Sequence, residues 1–260
     1  AGGTLNVAIG NYSLDALTSG DDNTAVGHNA LGANTTGSDN TSIGFDTMKA
    51  NTTGADNVAV GVGSLIANTT ASQNTAIGRA ALYTNTTGAD NVAVGRYALL
   101  ANTTGAQNTA LGSGALDANT TANNNTALGF DALGANTEGT QNLAVGEESL
   151  LANTTGGQNV AIGSESMKAN TTGSNNVALG RNALKGNTTA ANNVALGMDT
   201  LVANTTGTRN LAIMKNALNA SDTEDDNLAI GYNAMTTNTA GGTYNIAVGN
   251  YALDALTSGD

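Results

Sequence analysis

The chain has 260 residues with 34 glycines, no proline, cysteine or tryptophan, 3% aromatics and 11% charged residues. Without cysteine there is no thiol nucleophile, disulfide framework or Cys-based zinc site, and the single histidine, His28, excludes a multi-histidine metal centre. A net charge of −12 opposes contact with nucleic-acid phosphates or anionic membrane surfaces, and no apolar run approaches the ~20 residues of a membrane helix.

A repeat governs the rest. After a Gly-Gly-Thr opening at residues 2–4, an Asn-apolar-Ala-apolar-Gly motif begins at Asn6, Asn23 and Asn40 and recurs every 17 residues to Asn227, then at Asn245 after 18. The sixth copy shows the full repeat: Asn91-Val92-Ala93-Val94-Gly95, two variable residues, Ala98-Leu99, one variable residue, Ala101-Asn102-Thr103-Thr104-Gly105, and two more variable residues. Positions in the repeat are numbered from its opening asparagine. The fifteen copies occupy residues 1–260 as a single tandem-repeat domain.

Seventeen residues are too few for a helical-hairpin repeat, and Asn, Thr, Gly, Val and Ile favour strands and turns. The expected fold is therefore all-β: a β-solenoid, or β-roll, with two short strands per coil. The first strand covers positions one to four and ends at glycine. The second runs Ala-Leu-x-Ala-Asn-Thr to a corner at position fifteen, where Ala71, Ala122 and Ala190 replace the usual glycine. Stacked at ~4.8 Å, the coils would make a rod of about 70 Å.

Alternation along a strand then suggests which residues face inward. Positions two and four are always Val, Ile, Leu or Thr, and position nine is always Leu or Met. These three columns are expected to form a thin aliphatic core. Position three, alanine in every copy except Ser42, points the other way and is expected to pack against another chain. Charged and aromatic residues concentrate at positions six, seven, ten, sixteen and seventeen, so variation is expected on the surface.

Several columns bear on chemistry. Asn34, Asn51, Asn68, Asn85 and Asn102 open Asn-Thr-Thr sequons, but their fixed spacing favours a hydrogen-bonded asparagine ladder over glycosylation. Asp22, Asp39 and Asp56 share position seventeen in successive coils, which admits calcium bridging; the competing reading is turn residues bonded to the backbone, and no cofactor is expected. Arg79, Arg96 and the neighbouring Tyr97 sit after the fifth-position glycine, either as solvated corner residues or as a surface that stacks on sugars. Ice binding would need a flat threonine array, which the adjacent Thr35 and Thr36 do not make. No carboxylate pair stands out as a catalytic site, and an enzyme is not expected.

The two ends are alike. Residues 1–21 and 240–260 match at seventeen of twenty-one positions, and both depart from Asn-Thr-Thr-Gly in the same way, with Leu-Thr-Ser-Gly. The chain reads as one segment of a longer array, or as a subunit whose ends stack in phase.

The motif Asn159-Val160-Ala161-Ile162-Gly163-Ser164-Glu165-Ser166 resembles the head repeats of trimeric autotransporter adhesins. The longer form, Asn74 to Gly78 followed by Asn85-Thr86-Thr87-Gly88, is similar to shaft repeats of phage and marine viral tail fibres. The resemblance covers the whole chain, although the constant 17-residue period and the Asn-Thr-Thr-Gly corner depart from the adhesins. It implies a homotrimeric β-roll at a cell or virion surface, serving as a fibre shaft or, alternatively, as a head that binds a surface glycan or receptor.

Overall fold

The computed structural model describes residues 2–237 and 242–255, which fall into two compact units, Ala1–Asn125 and Thr126–Asp260. Each unit is a parallel β-solenoid with one coil per repeat. Most of the second terminal Leu-Thr-Ser-Gly similarity, at 256–259, lies outside the described residues.

In the first unit the strands are β1 (Val7–Ile9), β2 (Thr24–Val26), β3 (Thr41–Ile43), β4 (Val58–Val60), β5 (Thr75–Ile77), β6 (Val92–Val94) and β7 (Thr109–Leu111). Each pairs in parallel with the next, with identical repeat positions in register, as in Val58↔Thr75, Ala59↔Ala76 and Val60↔Ile77. The second unit holds β8 (Thr126–Leu128), β9 (Leu143–Val145), β10 (Val160–Ile162), β11 (Val177–Leu179), β12 (Val194–Leu196), β13 (Leu211–Ile213), β14 (Leu228–Ile230) and β15 (Ile246–Val248), arranged likewise. The longer spacing before the last repeat does not shift this register, since Leu228 pairs with Ile246 and Ala229 with Ala247.

Among the described residues each coil shows one strand, and the expected second strand is not seen. Positions six to eleven, such as 96–101, are turns, and Leu99 has φ 51°. Residues at positions seven, nine and seventeen adopt left-handed backbone in coil after coil (Tyr97 64°, Leu99 51°, Gln107 59°). Each such non-glycine residue costs roughly 1–2 kcal/mol. The cost is offset because the strained segments still bond to their neighbours: Leu99 N–H donates to the Ala115 carbonyl and Tyr97 N–H to the Arg79 carbonyl.

The left-handed leucine reverses the expected core. Positions eight and nine are both fully buried, as Ala98 and Leu99 are, which adjacent residues of an extended strand cannot achieve. Position three faces them from β2–β7, and Ala25, Ala59, Ala76, Ala93 and Ala110 are likewise fully buried. Positions two and four instead point outward, with Val92 38%, Ile77 40% and Leu111 45% exposed. A 17-residue coil encloses room for one large side chain, so leucine or methionine fills it and only alanine or, at Ser42, serine fits opposite. The alanine strip is thus interior, and the outward strip is aliphatic.

Glycine at position five is a requirement of stacking. Gly78 has φ 130°, and a Cβ there would lie 2.6 Å from the Gly95 carbonyl oxygen of the next coil. Met214 alone occupies this column without being glycine, at φ 89°.

Candidate functional site

Two asparagine columns line the interior. Asn51 donates through Nδ2 to Asn34 Oδ1 at 3.0 Å, Asn68 to Asn51 at 2.8 Å, Asn85 to Asn68 at 3.2 Å and Asn102 to Asn85 at 2.8 Å. Each amide also donates to the carbonyl three residues on, as Asn85 does to Gly88 at 2.9 Å. All five are fully buried, so these sequons are closed to a modifying enzyme in the folded coil. The opening asparagines form a second column, where Asn40 presents both its backbone N–H and its side-chain amide to Asn23 Oδ1 at 3.1 Å. Beside the first ladder, Thr35 Oγ1 donates to the Thr52 carbonyl at 3.0 Å, so that half-buried hydroxyl column is engaged with the backbone of the next coil.

The equivalent ladder of the second unit changes at residue 221. Ser221 stands where asparagine would, and Glu224 where glycine or alanine would. The Glu224 carboxylate, 4% exposed, turns into this place and accepts from Ser221 Oγ at 3.0 Å, Asp222 N at 2.8 Å and Thr223 N at 3.1 Å. Asn204 Oδ1, one coil earlier, loses the donor it would have had from an asparagine at 221. Only the paired departure at 221 and 224 marks this exchange in the sequence.

Asp22, Asp39 and Asp56 are exposed and left-handed at φ 55°, 58° and 57°. Their backbone N–H groups donate to carbonyls of the preceding coil, as Asp39 does to Asp21 at 3.0 Å. Among the described residues, no group of three or more His, Cys, Asp or Glu side chains is placed to hold a metal ion.

The corner formed by positions six, seven and ten carries the chemistry that varies. In the first unit, position seven reads Asp46, Gly63, Ala80, Tyr97 over successive coils, so two small residues leave a gap between two larger ones. Phe45, Val62 and Arg79 at position six form one wall, and Ile66, Tyr83 and Leu100 at position ten form the other. The resulting groove has a volume of about 350 Å³. Tyr83 lies over Gly63, whose Cβ position is 3.4 Å from the ring, and Arg96 sits 4.6 Å above the centre of the Tyr97 ring. Thus Arg79 and Tyr97 share one groove, with Arg96 covering the tyrosine. Phe45 continues into an aromatic file, stacking on His28 at 5.2 Å, with His28 edge-to-face against Tyr12 at 5.7 Å.

The second unit uses the same positions for ion pairs. Lys168 Nζ lies 2.5 Å from Glu148 and 2.9 Å from Glu165, while Lys185 reaches Glu165 at 2.7 Å. Hydrogen bonds from Lys185 and then Lys168 hold the Glu165 carboxyl down at about 2. Asp131 moves upward, through burial first and the Glu148 charge second. Asp199, Val202 and Asn216 line a polar groove of about 400 Å³ in that unit.

Compared with known proteins, the chain matches no family model and no curated sequence.

Proposed function

We propose that the chain is a structural shaft of an extracellular or virion-surface fibre, acting as a homo-oligomer with three copies around an axis. The observation that carries this reading is the outward aliphatic strip. In the first unit, positions two and four of β2–β7 form in-register outward columns: Val26, Ile43, Val60, Ile77, Val94 and Leu111 at position four, and at position two Val58 and Val92 alternating with Thr24, Thr41, Thr75 and Thr109. Exposed β-branched columns of this kind are suited to burial against the same columns of a second copy, which has equal spacing by construction. The role is mechanical: nearly every coil bonds its backbone to the next, and asparagine columns satisfy the interior. Among the described residues no helix is long and apolar enough to cross a membrane.

Analytical ultracentrifugation and negative-stain imaging test the proposal. The expected particle is a trimeric fibre, and Val58→Lys with Val92→Lys is expected to yield folded monomers. A native chain that sediments as a monomer at all concentrations overturns it. A second reading, an adhesin head that binds a surface glycan or receptor through the variable corner, is favoured by the groove beside Arg79 and Tyr97.

A further inference from the structure

We infer that the groove at Gly63 and Ala80 is a binding site for an aromatic group that carries a carboxylate. The gap is built by the repeat. Neighbouring coils place Asp46 and Tyr97 at position seven, so Gly63 and Ala80 between them remove two side chains from a continuous column. Phe45, Val62, Ile66, Tyr83 and Leu100 make the lining mainly apolar, with ring edges and faces available to a planar guest. Such a lining suits the face of a planar aromatic ring, with the polar atoms of Arg79, Asp46, Tyr83 and Tyr97 around it.

The charge at the rim selects the guest's other half. Residues 1–125 contain eight carboxylates and three cations, yet those cations, Lys49, Arg79 and Arg96, all lie in coils three to six at the corner positions. Lys49 faces Asp46 at 3.7 Å, and Asp46 also accepts from Asn29 Nδ2 at 2.9 Å, so the lining carboxylate is already engaged. Arg79 is exposed and in no ion pair among the described residues, although it lines the groove. A guest carboxylate can therefore meet an unengaged guanidinium in the geometry that pairs planar donors with planar acceptors.

Saturation-transfer and titration NMR on the full chain, with N-acetylphenylalanine as probe, test the assignment. Binding in the millimolar range is expected, as suits a small ligand on an open groove. N-acetylphenylalanine amide, which lacks the charge, is expected to bind more weakly by about three- to tenfold, and Arg79→Gln to show the same loss. Gly63→Tyr is expected to abolish binding while the chain still folds with a modestly lowered melting temperature, because Tyr12 and Tyr97 already occupy this position at φ 61° and 64°, close to Gly63 at 66°. A tetrapeptide ending in phenylalanine distinguishes the sources: tighter binding than the probe assigns the guest to a partner's C-terminus, and equal binding assigns it to a free aromatic acid. No transfer to the probe, equal binding of acid and amide, preference for glucuronate, or full binding by Gly63→Tyr each overturns the proposal. The shaft reading is independent of these outcomes, since it concerns the separate columns at positions two and four and fails only on oligomeric state.

Discussion

Ser42 Oγ donates to Thr47 Oγ1 at 2.6 Å, both residues being fully buried, and Thr47 Oγ1 donates in turn to the Gly44 carbonyl at 3.0 Å. Ser42 is the one departure from alanine at position three, and the structure shows how it is tolerated: its coil carries a second hydroxyl at position eight, five residues on. A buried hydroxyl without a partner costs roughly 1–3 kcal/mol, whereas removing both partners together can be neutral. Thr47→Ala removes the shorter of the two acceptors of Ser42 Oγ and leaves the Thr47 carbonyl at 3.1 Å, so it is expected to destabilise by up to about 1 kcal/mol. The pair Ser42→Ala with Thr47→Ala, which restores the usual residues, is expected to be less costly than the sum of the single changes. Urea melts of the four proteins close the cycle; additive losses would show that the two hydroxyls act separately.

Asn85 occupies the middle of a ladder, donating to Asn68 and Gly88 and accepting from Asn102 at 2.8 Å. Replacing it by leucine removes three bonds and leaves an Asn68 acceptor and an Asn102 donor unmatched inside the coil. A loss of roughly 1–3 kcal/mol is expected. Because each coil contacts only its neighbours, the loss should be local. Hydrogen exchange should speed most in the coils holding Asn68, Asn85 and Asn102, and uniform acceleration along the chain would contradict the ladder's local role.

Met214 is the natural test of the fifth column. Its left-handed φ of 89° is one that a side chain resists, and glycine holds the equivalent place in the coils on either side, at Gly197 and Gly231. Met214→Gly is expected to raise stability by about 1 kcal/mol, through relief of strain. Gly78→Ala should do the reverse more strongly, given the carbonyl 2.6 Å from its added Cβ. Paired thermal melts give the order Met214→Gly, native, Gly78→Ala.

Glu165 links the second unit to pH. Its carboxyl sits at about 2 in the fold against an ordinary 4.5, because Lys185 and Lys168 donate to the charged form. A depressed carboxyl contributes stability that is complete above about 4.5 and fades as pH falls toward 2. Native protein should therefore lose stability across this window more steeply than Glu165→Gln. Salt should shrink the difference, because these side chains are partly exposed. Curves that stay parallel from pH 5 to pH 2 would show that the clamp contributes nothing.

Much of the architecture is legible in the repeat. The asparagine columns, the glycine corner and the confinement of charge to a few positions follow from a 17-residue period, since equal residues must stack wherever each coil repeats the last. The groove is less legible. Gly63 and Ala80 look unremarkable until positions six, seven and ten are known to share a corner, and Glu224 looks like an exception until its carboxylate is seen in the place of a missing amide.

What the sequence by itself determined is the period, and with it the parallel register and the identity of every column. What only the tertiary structure decided is which way those columns face. Alternation separates Ala93 from Val92 and Val94 but carries no sign, because a strand with apolar residues on both faces reads the same from either side. The sign is set across the coil by Leu99, whose left-handed backbone turns it inward beside Ala98 and leaves space only for a small residue opposite. Packing within a closed ring of seventeen residues made that choice, and it turned the valines outward.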